Sequence, residues 1–117
     1  MRRDVRDAGA GTIGLTVYPP YPAGTFKNPS MAPWSYQNGG DWDWFGGRMI
    51  QALVANGFAE DAYLELVPMV RRVQRSNGFF EWFDRENHPR GSGTFRGSAG
   101  VLGKAIVMLQ AWANANR

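Results

Sequence analysis

The chain has 117 residues, a net charge of +3 and no cysteine. That length suits one domain, and the lack of thiols excludes a disulfide framework and thiolate metal sites. Its arginines are scattered rather than gathered into a basic stripe, which argues against a nucleic-acid partner. Residues 1–7 carry no apolar run of the kind a signal peptide needs, and no later run is long enough to span a membrane, so a cytoplasmic, membrane-free protein is expected.

Residues 1–36 read as an extended arm, with Gly9, Gly11, Gly14 and Gly24 interspersed with Pro19, Pro20, Pro22, Pro29 and Pro33. Only 12–18 resembles a short strand. The run Tyr18-Pro19-Pro20-Tyr21-Pro22 is held extended by its prolines. A first helix is predicted over about 43–56, with Phe45, Met49, Ile50, Leu53 and Val54 at helical spacing, Asp41 or Asp43 as its cap and Gly57 as its stop. Gly46 and Gly47 in its first turn make sense where another backbone or a ligand approaches closely.

A second helix is predicted over 59–76. Its apolar set is Ala62, Tyr63, Leu66, Val67, Val70 and Val73, with Glu60, Asp61, Glu65, Arg71, Arg72 and Arg75 turned to water. Pro68 should kink or restart it. The short connector makes the two helices an antiparallel hairpin. Residues 79–96 form a long loop, too aromatic for a linker. A third helix over 98–113 presents Val101, Leu102, Ala105, Ile106, Leu109 and Trp112. With Lys104 as its one charge it should be buried on most sides, and Gly100 and Gly103 should permit close helix contact. The fold class is all-α: three long helices, an extended Gly/Pro-rich N-terminal arm and a long loop before the last helix.

Two stretches carry the chemistry. Residues 36–47 combine Tyr36, Trp42, Trp44 and Phe45 with Gln37, Asn38, Asp41 and Asp43. Such a mixture suits a polar, ring-shaped ligand, with rings stacking on its faces and amides bonding its hydroxyls. The second is Phe79-Phe80-Glu81-Trp82-Phe83. A carboxylate placed among rings loses hydration and suits general acid or base work. Asp84, Glu86 and Asn87 lack the glycine turn and terminal glutamate of a calcium loop. His88, the single histidine, has no partner at ligand spacing. No metal and no cofactor are expected.

Tyr36-Gln37-Asn38-Gly39-Gly40-x-Trp42, the helical hairpin, Phe80-Glu81-Trp82-Phe83-Asp84 and Phe95-Arg96-Gly97-Ser98-Ala99-Gly100 together resemble the C-terminal part of the six-hairpin, (α/α)6-barrel glycosidases. These include neutral invertases, trehalases, processing α-glucosidases and the glucosidase part of glycogen debranching enzymes. The resemblance implies a partial (α/α)6 toroid and a carbohydrate substrate. It implies that Glu81 is the general base of an inverting hydrolysis and that Gln37, Asn38 and Trp42 line the sugar site. Tyr36, Trp44 and Trp82 are added as rings that wall the pocket, and Arg96 as a contact to the sugar or an orienting partner of Glu81.

The family's acid, an aspartate well upstream of the Asn-Gly-Gly motif, has no counterpart here: Asp4 and Asp7 lie in unmatched context. Twelve helices need roughly 200 residues, so the resemblance implies the C-terminal portion of a larger catalytic domain, inactive by itself. Its exposed helix faces would favour self-association. Two other readings of the same residues are a non-catalytic carbohydrate-binding module and a helical-hairpin interaction domain.

Overall fold

The computed structural model describes residues 2–117. Its elements are α1 (Arg2–Asp7), a single 3-10 turn (Pro29–Met31), α2 (Asp43–Ala55), α3 (Ala59–Ser76), the two-residue strands β1 (Trp82–Phe83) and β2 (Pro89–Arg90), and α4 (Arg96–Ala115). The three long helices lie where the periodicity places them, and the chain is mostly helical. Two expectations change. The arm contains a helix, α1, whose Val5 is buried in the core and whose Arg2 is paired with Asp61 and Glu65 of α3. The long loop folds back as an antiparallel hairpin, with Trp82 opposite Arg90 and Phe83 opposite Pro89.

Helix α2 ends in a Schellman turn: Phe58 N donates to Leu53 O at 2.8 Å and Gly57 N to Val54 O at 3.2 Å, with Gly57 at φ +87°. Three residues later α3 returns antiparallel to α2. It runs unbroken through Pro68. Helix α4 lies beside α2 and runs in the same direction: Trp42 and Phe95, the residues that precede the two helices, meet edge to face at 6.0 Å, and Gly47 faces Val101 and Leu102. The core is gathered from every layer: Val5, Ala8, Ile13 and Leu15 from the N-terminal segment, Ile50 from α2, Ala62, Leu66 and Met69 from α3, Leu102 and Ala105 from α4.

The glycines of α2 behave as the spacing suggests. A Cβ on Gly46 would lie 3.1 Å from Gly14 Cα, and one on Gly47 would lie 2.8 Å from Val101 Cγ1 and 3.3 Å from Leu102 N. The α4 glycines do not: a Cβ on Gly100 or Gly103 would meet nothing within 4 Å. Nor is α4 buried on most sides, since Ile106, Val107 and Trp112 are exposed.

The inward stripe of α3 is also turned from the expected one. Ala59, Ala62, Leu66 and Met69 are buried together with Arg72, whereas Tyr63 is 58% exposed. Two apolar stripes lie side by side on this helix, and hydrophobicity alone does not rank them. The choice falls to the stripe that brings Arg72 inside, where carboxylates await it.

The glycines provide a direct test. Gly103→Ala should stabilise the fold by about 0.5–1 kcal/mol, because alanine loses less backbone entropy on folding than glycine and its Cβ meets nothing there. Gly47→Ala should destabilise it by roughly 1–3 kcal/mol through overpacking against α4. Urea unfolding of the two variants beside the parent reads both; equal effects would mean that α2 and α4 are not in contact at Gly47.

Candidate functional site

At the centre of the molecule is a buried guanidinium. Arg72 is 1% exposed. Its Nη1 donates to Asp41 Oδ2 at 2.8 Å and its Nη2 to Asp41 Oδ1 at 3.2 Å, a two-pronged pair. Nη2 also donates to Asp43 Oδ1 at 2.8 Å and Nη1 to Asn87 Oδ1 at 3.1 Å. Its carbon lies 3.8 Å from the centroid of the Phe83 ring. Asp41 further accepts from the backbone N–H and the hydroxyl of Thr12. One side chain thus links the arm, the start of α2, α3 and the 79–95 hairpin. The capping expected of Asp41 or Asp43 does not occur: Trp42 is the N-cap of α2, without a side-chain cap bond. Both carboxylates go to Arg72, because a buried cation needs them more than the first amides of α2 do.

Two carboxylates share one guanidinium, and they are not equal. Asp43 is 0% exposed and its Oδ2 has no partner among the described residues. Burial pushes the Asp43 pKa up; the Arg72 charge and hydrogen bond pull it down but do not reverse the shift, and Asp41 adds to the rise. For Arg72, burial lowers the pKa and the two carboxylates more than reverse it.

The Asn-Gly-Gly-x-Trp stretch builds the turn that precedes this node. Asn38 is 0% exposed; its Oδ1 accepts from Tyr21 N at 2.8 Å, and its Nδ2 donates to Tyr21 O at 3.0 Å and Met31 O at 2.9 Å. Its amide is therefore spent on holding the arm. Gly39 has φ +96°, and a Cβ on Gly40 would lie 2.2 Å from Tyr36 O and 2.9 Å from the Trp82 ring. Trp42 Nε1 donates to Tyr36 O at 2.9 Å. Tyr36, at φ +48°, aims that carbonyl at both Gly40 N and Trp42. Gln37 is left exposed.

Glu81 sits midway along a tether between the starts of two helices. Phe95 N donates to Phe79 O at 2.8 Å, just before α4. Phe83 N donates to Asp41 O at 2.8 Å and Asp41 N to Phe83 O at 3.1 Å, just before α2. Successive side chains of this extended segment alternate in direction. Phe80 packs on Gly78 and Gly93, Trp82 packs on Gly40, and Glu81 lies over Gly91. The half-buried Glu81 accepts from Ser92 N through Oε1 at 3.2 Å; its Oε2 accepts no hydrogen bond among the described residues.

The rings of the candidate site come together around this tether. Tyr36 lies 5.1 Å from Trp42, Trp42 meets Phe95, and both Phe95 and Trp44 flank Gly97. Trp42 is buried; Trp44 is 43% exposed. Arg96 is exposed in the first turn of α4 and makes no hydrogen bond or ion pair to Glu81 among the described residues. The residue that the sequence analysis misplaced is Arg72, expected to face water; its one signal was the pair of carboxylates, Asp41 and Asp43, about thirty residues earlier.

Asp84, Glu86 and His88 bring ligand atoms within 4.8 Å of one another. The Asp84 carboxylate already accepts from Glu86 N, His88 N and the Arg90 guanidinium. Partial burial raises its pKa, but the His88 N–H and Arg90 more than offset that, leaving it below the ordinary carboxylate range. It is the knot of its own turn. No helix among the described residues is long and apolar enough to cross a membrane. Neither a protein-family model nor a curated protein matches the chain.

Three substitutions examine this site. A carboxylate with a raised folded pKa contributes stability below its ordinary value, about 3.9, and loses that contribution as pH rises through the folded value. Asn at position 43 is neutral throughout. The stability of Asp43→Asn relative to the parent should therefore improve as pH rises from about 4 through the folded pKa and level off above it; a constant difference in urea unfolding between about pH 4 and 7 would refute the raised pKa. Asn38→Asp keeps the acceptor for Tyr21 N and removes the donors to Tyr21 O and Met31 O. It should cost about 2–4 kcal/mol in the same assay, while Gln37→Asn changes nothing measurable.

Proposed function

We propose that this chain forms part of a glycoside hydrolase acting on glucosidic bonds and supplies its general base, Glu81. The observation that supports this most is the placement of Glu81: a half-buried carboxylate with one uncommitted oxygen, on a tether pinned to the starts of two parallel helices. In the larger fold we read α2 and α4 as inner helices and α3 as the outer return of a six-hairpin (α/α)6 toroid. Parallel inner helices joined through an antiparallel outer one are what that architecture repeats.

In the proposed reaction Glu81 takes a proton from a water molecule as its oxygen bonds to the anomeric carbon. The glycosidic C–O bond breaks, and the departing oxygen takes a proton from an acid that lies outside these residues. The water needs about 6.5–9.5 Å between the two carboxyls, and the anomeric configuration inverts. Trp44 and Trp82 serve as faces for the sugar ring, Gln37 and Arg96 as its exposed polar contacts, and Tyr36 and Trp42 as the support beneath. Asn38, already saturated, acts through the turn it holds.

In the enzyme that carries this segment, Glu81→Gln should lower kcat by at least about a hundredfold and leave the Kd for substrate unchanged, and the first-formed product should have inverted configuration by proton NMR. Loss of affinity in step with turnover would overturn Glu81 as base. That outcome favours the second reading, a binding module without catalysis, to which the exposed Trp44 beside Phe95 lends support. Absence of any saturable tryptophan response to glucosides would remove both.

A further inference from the structure

The outward stripe of α3 is only partly covered within the fold: Val67 and Val70 are half-buried, and Tyr63 is 58% exposed. Glu60, Tyr63, Val67, Val70 and Gln74 recur at alternating steps of three and four, the spacing of a helix seam. Between this stripe and Ile106, Leu109 and Ala113 of α4 runs an open apolar groove of about 550 Å³. It continues at one end over Leu64 and Trp112 and at the other over Val73 and Phe79.

The charges along the groove identify what fits it. Glu60 stands seven residues before Val67; Arg71 and Arg75 stand four and eight residues after it. All three are exposed, and none has an ion-pair partner among the described residues. The acids on the neighbouring face, Asp61 and Glu65, are by contrast already held by Arg2. A surface that is acidic at one end, apolar in the middle and basic at the other is complementary to itself when turned end for end. Helix α4 adds no acid that would oppose this, its charges being Arg96 and Lys104.

We propose that this groove docks a second copy of the chain about a two-fold axis passing near Val67. The α3–α4 pairs of the two copies then form a four-helix contact. Val67 meets its equivalent, Tyr63 meets the partner's Val70, and Glu60 reaches the partner's Arg71 and Arg75. Because the contact is isologous, each charge pair occurs twice. This inference is independent of the role given to Glu81.

Sedimentation equilibrium of the full chain from about 1 to 300 μM tests it. The parent should show a monomer–dimer equilibrium with Kd on the order of micromolar to tens of micromolar, weakening as salt is raised. Glu60→Arg or Arg71→Glu alone should weaken it about fivefold or more, the first losing four attractive pairs and the second two, each gaining repulsion. Glu60→Arg combined with Arg71→Glu should recover part of the affinity lost in the single variants, since the 60–71 pair is again opposite in sign while Arg75 still faces a like charge; no merely structural effect of these exposed positions would do that. Circular dichroism on the same samples checks that the fold is intact. A chain monomeric at every concentration overturns the proposal, as does a dimer indifferent to the single reversals. So does a groove filled by a helix of another protein that leaves the chain itself monomeric.

Discussion

A guanidinium taken out of water is tolerable only where anions and hydrogen-bond acceptors replace the water around it, and much of this chain is arranged to provide them for Arg72. Asp41 supplies a two-pronged acceptor, Asp43 a third bond and Asn87 a fourth, while Phe83 offers the face of its ring. These groups come from the start of α2 and the hairpin, and Thr12 of the arm fastens Asp41 in turn. Removing one member of such a cluster costs more than forming it contributes, because the remaining charges stay buried without partners. The node therefore acts less as a source of net stability than as a constraint on which segments may lie together.

The same constraint positions the candidate site. Asp41 is at once the main partner of Arg72 and, through its backbone, the anchor of Phe83. The tether carrying Glu81 is thus fixed at one end by the node and at the other by the start of α4. The position of Glu81 is set by backbone bonds two residues to either side of it, and its own carboxylate remains half-committed. The backbone, including the Glu81 N–H that donates to Ser92 O at 3.2 Å, thus positions the group without consuming both of its oxygens.

The Asn-Gly-Gly-x-Trp motif has a physical explanation that does not involve a ligand. Asn38 closes the arm, Gly39 takes a left-handed backbone, Gly40 admits Trp82, and Trp42 bonds the carbonyl of Tyr36. Each residue is needed to make a tight turn just ahead of α2. Residues that appear in a motif because they touch a sugar and residues that appear because they shape the turn beside it are indistinguishable by type alone. Here Asn38 belongs to the second kind, and Gln37 and Trp44 remain free for the first.

Helix positions were legible from the sequence because they depend on neighbours three and four residues away. The apolar periodicity, the Gly57 stop and the short connector determined α2, α3 and the hairpin they make. Gly46 and Gly47 likewise announced a close approach, though not of what. The orientation of α3 was not legible. Val67 and Val70 look as fit for a core as Leu66 and Met69, and Arg72 looks like a surface residue until Asp41 and Asp43, some thirty residues earlier, are brought to it. Nor could periodicity show that Asn38 would face inward, or that α4 would leave Ile106 and Trp112 uncovered. Local spacing determines whether a segment coils and where it stops. Which face turns inward is decided by partners distant in sequence, since only the folded chain lets a buried charge find its counter-charge and a buried amide its carbonyls.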